Sequence, residues 1–281
     1  MQLTLNEKIF TFFATLIEKI CGISYSLEKI YLIKGELYKI AQSFGYESLE
    51  KFYLKIRDDF ETGKVNSHLL REIVDRLVIN ETQFFRDFHP FEVLRKYLLP
   101  KLFWEKRKDR KISIWSAGCS TGQEPYSIAM ILLEYFSFQL FNYDLKIWAT
   151  DISFSSLEKA KRGLYSNSEI GRGVPVHFLF KYFKSKNSEW EIREEVKALV
   201  KFEFLNLIEA EKKVFEKFDL IFCRYVLIYF SDSIKEKIWE TLWNSLNSGG
   251  CLILGATELA PKSFPDMEKK IIDKVTLFFK K

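Results

Sequence analysis

The chain has 281 residues, 43 Lys and Arg against 38 Asp and Glu, and a formal net charge of +5. At 47% hydrophobic and 16% aromatic it can bury a large core over about two domains, which excludes a disordered chain. No run of about 18 uncharged apolar residues is present, so no membrane insertion is expected. The opening MQLTLNEKIF lacks the layout of a signal peptide, so the expected location is the cytoplasm.

Residues 1–79 read as helical throughout. Leu5, Ile9, Phe12, Phe13, Leu16 and Ile20 follow helical spacing, and Gly22 is placed to close that helix. The spacing returns at Ile30, Ile33, Leu37 and Ile40, near Leu49, Phe52, Tyr53 and Ile56, and at Leu69, Leu70, Ile73, Val74 and Leu77. This N-terminal helical domain holds 11 basic and 11 acidic residues, leaving 32 against 27 for residues 80–281, and it shows no catalytic constellation. Residues 80–110 form an interdomain segment. It begins with NETQFFRD (80–87) and continues into a helix through Phe91, Leu94, Tyr97 and Leu98, which Pro100 is expected to end. The basic run Lys106, Arg107, Lys108, Arg110 and Lys111 reads as a solvated loop.

From Lys111 to the C-terminus strands alternate with helices. Strands are expected at Lys111–Ser116, Leu145–Thr150, Val200–Leu205, Phe218–Cys223 and Cys251–Gly255, which implies a mostly parallel sheet covered on both faces. The first strand runs into a glycine turn and then a helix through Ile128–Phe136. The interval between Leu157 and Val200 is too long for one helix and reads as an inserted loop with a few short strands. A last helix carries Ile234, Ile238, Leu242 and Leu246, with Ser233 and Glu236 as a capping box and Gly249-Gly250 as its end. The four cysteines and three histidines have no metal-ligand spacing, and the cysteines read as buried thiols. No aromatic-interleaved basic stripe points to nucleic acid.

Ligands of such a sheet sit at the C-terminal ends of its strands. Four features collect there: the Gly118–Gly122 turn, Asp151, Asn206-Leu207 and the segment Arg224–Phe230. Gly118 and Gly122 would let a ligand approach the backbone at a helix start, or would simply make a tight turn. Asp151 would accept from ribose hydroxyls, or cap the segment Ser153–Lys161. The turn lacks the Lys-Ser/Thr of a P-loop and does not match GxGxxG. Together the features point to an adenosine-containing cofactor.

The motifs NETQFFRD, WSAGCSTGQEPYSIAM (115–130), ATDIS (149–153), FLNL (204–207), FDLIFCRYVLIYF (218–230) and GGCLILGATE (249–258) occur in an order and spacing that resemble the CheR family, the chemotaxis receptor methyltransferases. The resemblance implies an α/β fold: a small all-helical N-terminal domain plus a Rossmann-like S-adenosylmethionine methyltransferase domain, with a small antiparallel β-subdomain inserted near residues 163–199. It implies transfer of a methyl group from S-adenosylmethionine to glutamate side chains in the cytoplasmic helical region of chemoreceptors, with S-adenosylhomocysteine as product and a role in adaptation. A receptor C-terminal tail peptide adds to the subdomain in some family members, and a monomer is expected.

By the same resemblance, cofactor contacts fall on Asn80, Thr82, Arg86, Gly118, Glu124, Asp151, Asn206, Leu207, Arg224 and Tyr225, with Arg86 and Tyr229 near the transferred methyl. A guanidinium such as Arg86 can hold a carboxylate, and Tyr229 can offer a hydroxyl or a π face to a sulfonium. An interdomain salt bridge for Arg86 and plain packing for Tyr229 are the structural alternatives. Two departures from the family stand out. Tyr225 replaces an Asn that could bond the cofactor by its amide. Glu36-Leu37 falls where a basic residue usually precedes the Leu, although Lys29, Lys34 and Lys39 could form a local basic face. A family member with weakened catalysis, acting as a cofactor-binding sensory module, is the rival expectation. A methyltransferase for nucleic acid or small molecules is a third, against which stands the absence of an Asn/Asp-Pro-Pro-Tyr motif.

Overall fold

The computed structural model describes residues 5–25, 30–64 and 66–281. Of the positions read from sequence, Lys29 and the side chains of Leu5 and Ile30 lie outside the described residues. The N-terminal part is helical as expected: α1 (Leu5–Cys21), α2 (Ile30–Ser43), α3 (Leu49–Glu61) and α4 (Ser67–Leu77). Gly22 closes α1 at φ +77°, its amide bonding to Glu18 O. Ser48 caps α3 and Asn66 caps α4, each accepting from a backbone N–H of the first turn. The apolar stripes of these helices bring Ile9, Phe13, Leu37, Phe52 and Ile73 into one buried cluster. That cluster runs on without a break into Trp115, Phe218, Trp239 and Leu242, so the helices share a core with one face of the sheet. Lys34 and Lys39 are exposed, and Lys39 pairs with Glu36.

Pro100 does not end its helix. The segment runs as α5 (His89–Val93), a π-helical turn (Leu94–Leu98) and α6 (Leu99–Glu105), with Pro100 in the first turn of α6. The wider turn before it removes the demand for the N–H that proline lacks. Within the basic run Lys106 pairs with buried Asp219 at 2.7 Å, while the other four cations are exposed.

The α/β part continues with β1 (Lys111–Ala117), α7 (Gln123–Tyr135), α8 (Ser137–Leu140), β2 (Asp144–Asp151) and α9 (Phe154–Arg162). The insertion holds β3 (Leu164–Ser166), α10 (Asn167–Gly171), α11 (Val176–Tyr182), β4 (Phe183–Lys186), β5 (Glu189–Ile192) and α12 (Glu194–Lys197). Then come β6 (Val200–Phe204), α13 (Ala210–Lys213), β7 (Phe218–Cys223), α14 (Asp232–Asn244), β8 (Leu246–Leu254), β9 (Met267–Ile272) and β10 (Val275–Lys280). The main sheet has the order β6-β2-β1-β7-β8-β10-β9. The pairs from β6 to β8 are parallel, and β10 runs antiparallel to both β8 and β9. The insertion forms a separate antiparallel sheet, β3-β5-β4. This is the Rossmann-like architecture with an antiparallel subdomain that the motifs implied.

Three details differ from the sequence reading. Helix α14 starts two residues earlier, with Ser231 at the N-cap and no Ser233/Glu236 box. The amides of Ile234 and Lys235 bond to Ser231 O, because the bridge between Phe230 and Ile23 keeps the chain extended up to that point. Gly249-Gly250 is a bulge inside β8, not a helix end. The register jumps from Phe218–Leu246 to Leu220–Cys251, and Gly249 takes φ +79°. The hairpin β9–β10 was not read from sequence. Its two-residue turn, Asp273-Lys274, adopts positive φ at both positions without a glycine to announce it.

Candidate active site

The site is built from the chain segments that leave the C-terminal ends of β1, β2, β6 and β7. After β1 the chain turns at Gly118, φ +76°, and the amides of Gly118 and Cys119 both donate to Thr150 O on β2. A Cβ on Gly118 would lie 2.5 Å from Val226 Cγ2, so this glycine lets two turns pack face to face beside the cleft. Gly122 serves a different end from the one expected. Its Cβ would meet Ala160 Cβ at 2.9 Å and Tyr165 Oη at 3.1 Å, so its freedom lets α7 start against α9.

Asp151 is not the cap of α9, which is Ser153, but it supports that helix start. It accepts from Ser120 N (2.7 Å) and Ser153 N (2.9 Å), tying the glycine turn to the start of α9, and it also lines the cleft. Burial pushes its carboxyl above the usual range, opposed by those two N–H groups. Glu124, in the first turn of α7, accepts from Ser116 Oγ (2.8 Å) and Arg224 Nη1 (3.1 Å). Burial raises its carboxyl too, against the pull of Arg224. Asn206 donates to Ile20 O (2.7 Å) and accepts from Ile208 N, which fixes the end of α1 to the rim of the site.

NETQFFRD folds over the top of these turns. Phe84 and Phe85 are buried, Phe84 against Tyr165 and Phe183, and Phe85 N donates to Ser127 Oγ. Their burial turns Arg86 and Asp87 outward. Asp87 Oδ2 then meets Arg224 Nη2 at 2.6 Å, and Arg86 O accepts from the same nitrogen at 2.7 Å. Arg224 is therefore a buried clamp joining this segment to Glu124, with only its Nε left unpartnered. Arg86 itself has no carboxylate within ion-pair distance among the described residues, so the interdomain salt bridge is not found. Its Nη1 bonds to Glu81 O (3.1 Å) and its guanidinium carbon lies 3.9 Å from the centre of the Tyr225 ring.

Tyr225 stands at φ +59°, where an asparagine would sit with less strain. Its hydroxyl donates to Asp87 Oδ2 at 2.5 Å. Tyr229 lies half-buried in a 3-10 turn, Leu227–Tyr229, and burial raises its phenol while the Arg86 charge opposes that rise. Its carbonyl accepts from Ser24 N, which again joins the helical part to the site.

The eleven residues expected at the cofactor and methyl-transfer site line one cleft, while Gly122 does not. The apolar lining includes Ile23, Val78, Ile79, Ile152 and Leu205, none of which was singled out. Ser120 was missed as well; it sits at φ +49° with Oγ bonded to Asn80 O. Two structural residues inside the quoted motifs had been given no part. Asp87 is one. The other is Glu258, whose buried carboxylate accepts from the amides of Tyr225, Val226, Leu227 and Gly255 at 2.6–3.0 Å. Apart from Gly255, their partners lie 31 or more residues away, beyond any local pattern.

The cleft combines carboxylates, apolar walls and unpaired donors. The side chains of Asn80 and Thr82 have no hydrogen-bond partner among the described residues, and the Arg86 guanidinium is open to an anion. Acceptors for ribose hydroxyls, donors for a carboxylate and apolar surface for a base suit S-adenosylmethionine. A parallel sheet ending in an antiparallel hairpin, with this cleft at its strand ends, defines a methyltransferase of the S-adenosylmethionine-dependent class. The family model "CheR methyltransferase, SAM binding domain" matches residues 80–276. Over 260 residues the chain is 37% identical to chemotaxis protein methyltransferase 1 of Pseudomonas aeruginosa, covering 92% of each chain. It is 39% identical over 258 residues to the chemotaxis protein methyltransferase of Vibrio anguillarum, covering 91% of this chain and 90% of that one. It is 34% identical over 240 residues to its counterpart in Borreliella burgdorferi, covering 84% and 83%. The chain belongs to the CheR methyltransferase family, and S-adenosylmethionine is its cofactor. No helix among the described residues is long and apolar enough to cross a membrane.

Proposed function

We propose that the protein methylates glutamate side chains in the cytoplasmic helical region of chemoreceptors, giving glutamate methyl esters and S-adenosylhomocysteine and serving adaptation in chemotaxis. The observation that carries this reading is Arg86: a guanidinium with no carboxylate partner among the described residues, lining the same cleft as Tyr229, whose phenol feels its charge. S-adenosylmethionine supplies an electrophilic methyl group, and a glutamate carboxylate is already ionised near neutral pH, so no general base is needed. The remaining work is positioning and exclusion of water. Arg86 offers its free N–H groups to the acceptor carboxylate. Tyr229, held protonated by its raised pKa, supplies a hydroxyl and a π face where positive charge must be tolerated. Asp151 provides acceptors for ribose, while Asn80 and Thr82 offer unpaired polar groups. Leu207 and the backbone of Gly118 complete the wall and the floor. Glu124 and Arg224 hold each other and shape the site through their ion pair.

The test is methyl transfer from isotope-labelled S-adenosylmethionine to membranes carrying chemoreceptors, read as base-labile methyl esters. Labelled ester above that of receptors lacking their methylatable glutamates supports the proposal. Tight S-adenosylhomocysteine binding with no ester on any receptor favours the sensory-module alternative.

A further inference from the structure

Residue 225 occupies a backbone conformation that an aromatic side chain rarely adopts, and its surroundings hold it there. Glu258 takes its amide and the next two. From this backbone the side chain reaches two consecutive residues of the opposing segment. The ring carries the Arg86 guanidinium at 3.9 Å and the hydroxyl bonds to Asp87. That segment is itself left-handed at Phe85, Asp87 and Phe88, so its shape is not set by local preference. Apart from the ring, the only polar contact of the Arg86 guanidinium among the described residues is with Glu81 O.

We propose that Tyr225 is a positioning residue for methyl transfer, which holds the Arg86 guanidinium at the cleft wall by a cation–π contact. The inference rests on the reading of Arg86 as the clamp for the acceptor carboxylate. A π face suits this task for a physical reason. It attracts the cation without supplying a hydrogen-bond acceptor, so the N–H edges of the guanidinium stay available to a substrate. A carboxylate at this position would pair with Arg86 and close it to the acceptor. A small amide would leave the long side chain free to rotate.

The experiment compares Tyr225→Leu with Tyr225→Phe. The leucine keeps an apolar, non-β-branched side chain under the same backbone demand but removes the ring. The phenylalanine keeps the ring and loses the bond to Asp87. The expected result is a kcat about 10-fold lower for Tyr225→Leu, most of it recovered in Tyr225→Phe, with S-adenosylhomocysteine affinity changed less than about 3-fold in both. In an Arg86→Ala background Tyr225→Leu should lower kcat no further. Equal losses in the two Tyr225 variants, or an additive double mutant, overturn the inference. Wild-type turnover in Arg86→Ala alone removes the clamp reading and this inference with it. Loss in Arg86→Ala without loss in Tyr225→Leu overturns this inference alone. A readout independent of any acceptor is the NMR signal of the Arg86 Nε–H, identified by its absence in Arg86→Ala. The ring should displace it, and Tyr225→Leu should return it to the ordinary position. A signal that is the same in wild type and Tyr225→Leu refutes the stack.

Discussion

Replacing Glu258 by glutamine keeps the shape of the side chain and removes only its charge and one acceptor. In the protein Oε1 accepts from Val226 N and Leu227 N, and Oε2 accepts from Tyr225 N and Gly255 N. A glutamine has one oxygen, so two of these four donors must face an NH2 group. A buried donor left without an acceptor costs about 1–3 kcal/mol, so two of them put the loss at about 2–6 kcal/mol. For a chain of this size that corresponds to a melting temperature lower by roughly 5–20 °C. The damage has a specific address. The turn that Glu258 anchors carries Val226 against Gly118 and Tyr225 under Arg86. Binding of S-adenosylhomocysteine should therefore weaken along with stability, by about 10-fold or more. Urea unfolding and titration calorimetry on Glu258→Gln measure both quantities. A variant that unfolds within about 0.5 kcal/mol of wild type and binds S-adenosylhomocysteine equally well refutes the assignment of the turn to this carboxylate.

Arg86→Ala should lower methyl transfer by at least about 100-fold while S-adenosylhomocysteine affinity falls by less than about 10-fold, and kinetics beside calorimetry separate the two. Gly118→Ala places a methyl group 2.5 Å from Val226 Cγ2 on a positive-φ backbone, so stability should drop by about 1–3 kcal/mol and cofactor affinity with it; an unaffected variant would show the turns are free to part. Turnover should be flat from about pH 6.5 to 9. The acceptor carboxylate is ionised above its ordinary pKa, and burial raises the phenols of Tyr225 and Tyr229 above the usual tyrosine range, so both stay protonated through this window. A sigmoid rise centred near pH 7 would reveal a general base that the site does not contain. The four buried thiols should resist a thiol reagent at pH 8 in the native protein and react fully in denaturant, because burial pushes Cys21 and Cys251 up to about 12 and raises Cys119 and Cys223 well above the usual value. Rapid reaction of more than one native thiol would contradict that burial.

Much of the fold was legible because its signals are local. Strand β7 matches the sequence reading end to end, since every one of its residues is buried and a run that is apolar except for Asp219 betrays a central parallel strand. The helices of residues 1–79 follow their apolar spacing for the same reason. The candidate site residues were legible through motifs, and folding brings all eleven to one cleft. Pairing and function within that cleft were not legible. The sequence offered Gly122 as a ligand approach, Arg224 as a cofactor contact and Tyr225 as a doubtful wall. Tertiary structure made Gly122 a seat for Ala160, Arg224 a clamp between Asp87 and Glu124, and Tyr225 the platform of Arg86. The same limit hid the bulge at Gly249-Gly250 and the carboxylate cradle of Glu258. Periodicity reports which face of an element meets the core, because that depends on neighbours a few residues away. Which charge meets which donor depends on segments 30 to 140 residues apart, and only the folded chain brings them together.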